Sequence, residues 1–461
     1  MKSGPRLSFY KQLAILFTRW QWALLLLAAP FFLFPTVERR LGLLIVPILW
    51  LLAWWFTKKP LLNTPLNLPL LLLTLMMLVS LFATYDVSLS LPKIAGVIFG
   101  LGLFFAFLYS VSSEKSILIP LLVFMLAGLG IAGLGLLGMK WADKYPFLSK
   151  YIALLPILIK GLPGAETGFS PNEVAGALLW IIPLLFILMA LALFRLKNWA
   201  HSPTRGWLVT GVVLLSLVNF FVMGVLLLTQ SRTGLIALVL SFLISGMLLL
   251  SRRWRLVYLA ALVILGVSLG YFGLKSGWAD KLYAATGNPG SSITTLSGRV
   301  EIWNRAIYGI QDFPFTGMGM NTFRKVVYVL YPLNNTESGV DFGHAHNEFL
   351  QAALDLGLPG LVAFLSLYLV AFWMLVQTWN WAKAPAQWSD SRSISSILAS
   401  SSGVKALALG LGGGLMAHAF YGLTDAVALG AKPGVLFWML LGLVAGLYQE
   451  QRKLREQDLT P

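Results

Sequence analysis

Long runs of apolar residues follow one another along most of this 461-residue chain, and they restrict its fold more than any other feature. Hydrophobic residues make up 58% of the sequence and charged residues only 11%, whereas soluble domains carry about 25% charged residues. Such a chain cannot bury its apolar surface in water, and a segment of about 20 apolar residues has the length that crosses a bilayer. The sequence therefore predicts a polytopic membrane protein.

The spans are predicted to be helices, because in lipid each segment must satisfy its own backbone hydrogen bonds. We predict an all-α protein of about twelve transmembrane helices in a single polytopic domain, 1–461. Their approximate bounds are 20–35, 41–56, 66–83, 93–111, 117–138, 173–194, 207–229, 233–250, 254–274, 347–380, 402–424 and 434–449. The tenth is too long for one simple span, so its first part is expected at the interface or outside the bilayer.

Basic residues set the predicted orientation. Most Lys and Arg residues of the connecting segments fall on the same side as the N-terminus, which predicts that both termini are cytoplasmic. The short loops on the other side hold only Arg39, Arg40, Lys93, Arg232 and Lys432. The basic start of the chain lacks a small-residue cleavage site and is interpreted as a retained cytoplasmic end. A long segment at 275–346 is predicted outside, with short helices. Because the charge is spread over short loops, the net charge of +16 predicts a lipid bilayer as partner and no nucleic acid.

Two arginines are predicted at the outer ends of helices. In TQSRTGLIAL, Ser231 is a plausible N-cap that puts Arg232 in a first turn, and in TLSGRVEIWNRA, Ser297 and Arg299 repeat the pattern. Free N–H groups at a helix start favour an anion, and a guanidinium adds paired donors suited to phosphate. The alternative is that each arginine reaches lipid headgroups or pairs with a carboxylate.

Two of the four histidines stand together in HAHNEFLQAALDLGLPG. Helical spacing puts His346 at the head of an apolar stripe that faces protein, where a neutral imidazole can take a proton near neutral pH. A buried histidine bonded to a carbonyl is the alternative. His344 is expected as an exposed loop residue, and Glu348, Gln351 and Asp355 are expected on the wetter face. Gly357 and Gly360, around Pro359, are expected to break this helix.

A last pattern, MAHAFYGLTDAVALG, spaces His418, Tyr421, Gly422 and Asp425 along one helical face near an outer end. An ionisable residue at membrane depth is a functional candidate, and a hydrogen bond in helix packing is an equal alternative. The chain has no cysteine, no His-x-x-x-His pair and no paired carboxylates, so we predict neither a metal site nor a cofactor. The glycines of LGGG at 411–414 are interpreted as helix-packing residues.

Four of these segments resemble, in the same order, the O-antigen ligase and polymerase superfamily of bacterial envelope glycosyltransferases. His346-Asn347, then nine residues, Gly357, two residues and Gly360 resemble the family's His-Asn…Gly-x-x-Gly signature. The other three are GFSPNEVAGALL around Asn172, LTQSRTG, and SGRVEIWNRAI followed by PFTGMGMNTF. Together they run from about 168 to 360, and residues 210–375 are predicted to be the core related to the O-antigen ligases.

The resemblance implies a membrane glycosyltransferase of the GT-C type. It implies that a glycan moves from undecaprenyl diphosphate to an acceptor hydroxyl, with lipid A–core favoured, on the periplasmic face of the bacterial cytoplasmic membrane. By position, Arg232 and Arg299 become the diphosphate-binding pair, and His346 the base or the group that orients the acceptor. The remaining candidates, with roles in acceptor binding or structure, are Asp425, His418, Asn347 and Asn172.

The residues agree with an inverting, metal-independent transfer, since cationic side chains would neutralise the leaving diphosphate. Alternatives within the family are an O-antigen polymerase and a protein O-oligosaccharyltransferase. A bicarbonate transporter-like member belongs to a different class and would place ionisable residues and broken helices near the middle of the bilayer. A scaffold for envelope assembly is a further alternative, and it predicts no effect of changing Arg232, Arg299 or His346.

Overall fold

The computed structural model describes residues 5–57, 62–114, 117–141, 150–162, 165–198, 205–275, 296–333, 341–382, 394–427 and 429–459. Within these ranges the protein is all-helical, and β-pairing is limited to two isolated bridges. The α-helices of the first half are α1 Pro5–Leu33, α2 Ile45–Thr57, α3 Asn67–Ala83, α4 Val87–Glu114, α5 Leu118–Gly138, α6 Pro171–Leu178, α7 Ile182–Asn198 and α8 Arg205–Leu228. Those of the second half are α9 Arg232–Leu249, α10 Arg252–Lys275, α11 Leu296–Asp312, α12 Phe323–Leu330, α13 Glu348–Trp381, α14 Ile394–Ala399, α15 Ser401–Tyr421 and α16 Val435–Leu459.

Every predicted span coincides with helix, but the count of twelve is not confirmed. In the described part of the chain, nine helical segments are long and apolar enough to cross a membrane. Three predicted spans correspond to shorter apolar helices, Trp20–Leu33, Arg40–Trp55 and Asn67–Ala83. The repeated long apolar helices identify a membrane protein, as the composition predicted.

The core forms around α4, which packs chiefly against α1 and α16. In the most apolar 18-residue stretch of α4, 94% is buried, whereas none of the corresponding stretch of α10 is buried. Glycines let the central helices approach closely. A Cβ at Gly442 would lie 2.7 Å from the carbonyl oxygen of Phe104. Gly414, from the predicted packing motif, lies against the carbonyl of Trp180. Small residues at such contacts allow the backbone-to-backbone packing typical of membrane helices.

Helix α13 is broken at Gly357, as the sequence predicted. Gly357 has φ 71° and ψ 178°, a conformation that side chains other than glycine rarely adopt. Residues 313–322, between α11 and α12 and here called the outer segment, cover the break. Leu358 N–H donates to Pro314 O at 2.7 Å, and Met318 N–H donates to Leu354 O at 2.7 Å. The backbone groups released by the break are thus satisfied by the segment between α11 and α12.

The polar face of the first part of α13 is buried, and the prediction that it is the wetter face was wrong. Glu348, Gln351 and Asp355 are 2%, 4% and 0% exposed. Partners from distant segments donate to the carboxylate of Asp355: Lys93 Nζ lies 2.8 Å from Oδ2, and the Asn321 N–H donates to Oδ1 at 2.9 Å. This network attaches the start of α13 to α4 and to the outer segment.

Candidate functional site

The site begins at the turn that leads into α13. Asn347 is the N-cap, and its Oδ1 accepts from the N–H groups of Phe349 and Leu350, both at 3.0 Å. Its Nδ2 donates to Leu423 O at 3.1 Å. His346 just before it has φ 48°, a left-handed conformation that is uncommon for a histidine. The cap therefore holds a strained residue beside the segment that follows α15.

Asp425 brings the two histidines of the turn together. Its Oδ1 lies 3.2 Å from His344 Nε2 and 3.8 Å from His346 Nδ1. Its Oδ2 lies 3.0 Å from the hydroxyl of Tyr421. Asp425 is 1% exposed, while the two imidazole side chains are 16% and 15% exposed. The expectation that His344 is an exposed loop residue was wrong, since it lies in this cluster.

The imidazole of His346 has unused hydrogen-bonding capacity. Both ring nitrogens are buried and have no hydrogen-bond partner among the described residues. The ring contacts His344 edge to face, with centroids 4.6 Å apart. The backbone carbonyl of His346 accepts from Trp303 Nε1 at 3.3 Å. Buried polar atoms without partners are rare, so this imidazole can bond a group that the described residues do not supply.

Arg299 reaches the same cluster from α11. Its Nη1 donates to Thr424 O at 2.8 Å, and Thr424 directly precedes Asp425. Its Nε is buried without a partner among the described residues. The helix begins at Leu296, so Ser297 lies within its first turn and the predicted N-cap there was wrong. Arg299 is nevertheless in the first turn, as expected.

Arg232 starts α9, and its predicted cap is confirmed. Ser231 is the N-cap, whose hydroxyl accepts from Gly234 N–H at 3.3 Å. A Cβ at Gly234 would lie 3.5 Å from Ala175 of α6. The start of α6 is joined to the cluster, because the Tyr421 hydroxyl lies 2.6 Å from the backbone carbonyl of Asn172. The structure thus places Arg232 and Asn172 on helices that adjoin the cluster, and Asn172 contributes its backbone.

Burial and neighbouring charge decide the protonation of His344 and Asp425. Burial lowers the pKa of His344 from 6.5 to about 3, although the Asp425 carboxylate opposes the shift. Burial alone would raise the pKa of Asp425. The neighbouring imidazoles of His346 and His344 and the guanidinium of Arg299 reverse this effect and hold that pKa below its usual value. The pair is therefore a neutral imidazole beside a carboxylate at neutral pH.

His418 belongs to a second cluster, inside the helix bundle. It is 0% exposed, and its Nδ1 lies 3.4 Å from Glu348 Oε2 and 3.1 Å from the hydroxyl of Tyr368. Its ring stacks on Trp180, with centroids 4.0 Å apart. Of the two interpretations of His418 made from the sequence, these contacts favour the hydrogen bond in helix packing.

The prediction of no metal site stays a prediction, although the structure brings three possible ligands together. The ligand atoms of His344, His346 and Asp425 all lie within 4.8 Å of one another, and such a group could hold a metal ion. Two imidazoles and a carboxylate suit zinc and other divalent transition metals. Sequence patterns carry little signal for this group, because Asp425 is distant from both histidines along the chain.

Residues 217–365 match a family model described as O-antigen ligase. The matched range contains Arg232, Arg299 and His346, and it ends before His418 and Asp425. A comparison with curated proteins gives no match. This match agrees with the family that the motifs predicted, and it covers residues 217–365 of the chain.

Proposed function

We propose that the protein is a glycosyltransferase that moves a glycan from a polyprenyl diphosphate to an acceptor hydroxyl, with lipid A–core as the favoured acceptor. The single observation that carries the proposal is the meeting of His346, Asp425 and Arg299 in one cluster. In it, the two ring nitrogens of His346 and the Nε of Arg299 have no hydrogen-bond partner among the described residues. These are the atoms that a transfer between a hydroxyl and a diphosphate needs.

In the proposed reaction the acceptor oxygen attacks the anomeric carbon of the donor glycan. The bond from that carbon to the diphosphate oxygen breaks, and the diphosphate leaves with the electron pair. Arg299 and Arg232 neutralise the charge that develops on it, and the guanidinium plane suits two phosphate oxygens at once. A single displacement of this kind inverts the anomeric centre.

His346 takes the proton of the acceptor hydroxyl. Its Nδ1 faces Asp425 at 3.8 Å, which is longer than a hydrogen bond, so a small approach on substrate binding would close the contact. A proton held on Nδ1 by the carboxylate leaves Nε2 as the base, the arrangement used by histidine–aspartate pairs in hydrolases. Transfer of the hydroxyl proton to Nε2 then gives an imidazolium beside Asp425.

Glu348 and His418 are ionisable residues that lie at the ends of their helices, and this favours transfer over transport. Glu348 is in the first turn of α13, and His418 is in the last turn of α15. A transporter of the bicarbonate type would be expected to place such groups in the middle of its helices. The break at Gly357 is likewise covered by the outer segment.

The test uses the purified protein in lipid nanodiscs with a polyprenyl-diphosphate-linked glycan and lipid A–core. We expect His346→Gln and Arg299→Lys each to lower the transfer rate by about 100-fold or more. Arg305→Lys is the matched control, since Arg305 lies later in the same helix and its Nε donates to Pro332 O at 3.1 Å. It should change the rate less than about 2-fold.

Wild-type transfer by the His346→Gln protein would contradict the assignment. Offering a second lipid-linked glycan in place of lipid A–core separates polymerisation from ligation. A chelator arm tests the metal directly. Full activity after exhaustive chelation supports the metal-independent reaction, and a loss that divalent ions restore would contradict it.

A further inference from the structure

His344 uses both ring nitrogens within the cluster, in contrast to His346. Its Nδ1 accepts the backbone N–H of His346 at 3.1 Å, and its Nε2 lies 3.2 Å from Asp425 Oδ1. It therefore connects the carboxylate to the backbone of the candidate base.

These two contacts fix the tautomer of His344. A backbone N–H can only donate, so Nδ1 must carry a lone pair. The single proton of the neutral ring is then on Nε2, where it can donate to the carboxylate of Asp425.

The backbone that His344 holds is strained. A non-glycine residue in the left-handed region costs about 1 kcal/mol or more and persists only where its surroundings fix it. His346 is fixed on both sides of its Cα. The N–H bonds to His344, and the carbonyl accepts from Trp303. Loss of the first contact would let the residue relax, and its imidazole would move away from Asp425.

We propose that His344 is a positioning residue, whose Nε2–H tautomer joins Asp425 to the backbone of His346 and so sets the place of the His346 imidazole. This inference rests on the proposed function and adds to it a residue outside the His-Asn pair that the resemblance singled out. His344 does not touch the substrate; it acts through His346. A displacement of about 1 Å at a reacting group can cost about 100-fold in rate.

Two variants separate positioning from folding. His344→Phe keeps a planar ring of similar size and removes both polar contacts. We expect kcat to fall by about 100-fold, with the KM for the lipid-linked donor changed less than about 3-fold, because Arg232 and Arg299 are untouched. His344→Gln can still donate to Asp425, and we expect it to recover about 10-fold of the loss. A merely structural role would lower the amount of folded protein and would not give this ordered recovery in kcat.

Several outcomes would overturn the inference. If the His344→Phe protein has the wild-type melting temperature and the wild-type kcat, His344 does not position the His346 imidazole. If it does not fold, His344→Gln decides: an unchanged kcat there overturns the proposal, and an intermediate loss supports it. Activity that falls on chelation and returns with zinc would make His344 a metal ligand, which also overturns it. Failure of the proposed function itself looks different, since His346→Gln would then retain activity whatever His344 does.

Discussion

Two histidine–carboxylate pairs form where α13 meets α15, and they differ in what reaches them. The outer pair, His344 and Asp425, joins atoms 3.2 Å apart, and the inner pair, His418 and Glu348, joins atoms 3.4 Å apart. The outer imidazole keeps 16% of its side-chain surface exposed, and the inner one keeps none. A similar pair is thus partly exposed in one case and enclosed by packed helices in the other.

The difference teaches that the pair alone does not make a site. The inner histidine is enclosed by Trp180 and Tyr368, so no substrate-sized group can approach it. The outer pair stands beside His346, whose ring nitrogens have no partner among the described residues, and beside the guanidinium of Arg299. We therefore assign stability to the inner pair and reaction to the outer one. The following changes would separate these roles.

The largest effect on stability is expected from the inner pair. Glu348→Ala leaves His418 buried without this carboxylate, and a buried polar group that loses a partner costs about 1–3 kcal/mol. Apparent melting temperatures in detergent should fall well below that of the wild-type protein. The control is Glu456→Ala, which removes an exposed partner of Arg452 and should cost less than about 1 kcal/mol. Equal melting of the two variants would remove the distinction between the pairs.

The outer pair should respond in rate more than in stability. In Asp425→Asn, the amide oxygen can still accept from His344 and the N–H₂ can donate to the Tyr421 hydroxyl, but the negative charge beside the two imidazoles is lost. We expect the transfer rate to fall by about 100-fold or more, as when the aspartate that orients a catalytic histidine is changed to its amide. Measured in the same nanodisc assay, a rate near wild-type would show that the carboxylate orients neither histidine.

Acid should loosen the turn that carries His344 and His346. The folded-state pKa of His344, about 3, is below its ordinary value of 6.5. Between these values the unfolded turn binds more protons than the folded one, so stability rises with pH and is lost as pH falls through this window. The slope is at most about 1.4 kcal/mol per pH unit for one group. Hydrogen exchange of residues 341–347 should report it, and His344→Gln should remove most of it; exchange independent of pH, after correction for the intrinsic rate, would contradict it.

The smallest effect concerns two helix caps. Asn347→Ala removes the cap of α13 and the bond to Leu423 O, and Ser400→Ala removes the cap of α15, whose hydroxyl accepts from Gly403 N–H at 3.1 Å. Each should cost about 1 kcal/mol. Only Asn347→Ala should also lower the transfer rate, because it holds the turn that carries His346. Equal rates in the two proteins would mean that the turn is fixed without its cap.

Local patterns predicted most of the helices and part of the site. Apolar length gave the positions of the helices, and the polar residues before them gave the cap at Ser231 and the break at Gly357. These features depend on neighbours along the chain. The predicted number of spans is not confirmed, because three of the apolar helical stretches are shorter than 18 residues.

Contacts between distant segments could not be predicted. Glu348, Gln351 and Asp355 read as a wet face because they are polar, yet Lys93 and Asn321 come from elsewhere to satisfy Asp355. His344 looked exposed because nothing near it in the sequence would bury it. Asp425 buries it, and a single sequence carries no signal of that pairing.

The bonds that hold the site also bear on how it forms during synthesis. Arg299 binds a carbonyl 125 residues later in the chain, and Asn347 binds one 76 residues later. A nascent chain that has made α11 and inserted α13 therefore carries the arginine and the asparagine but neither of the carbonyls that they bind. Competence for transfer must appear abruptly, once the helix Ser401–Tyr421 has entered the bilayer and the ribosome has delivered Asp425 behind it.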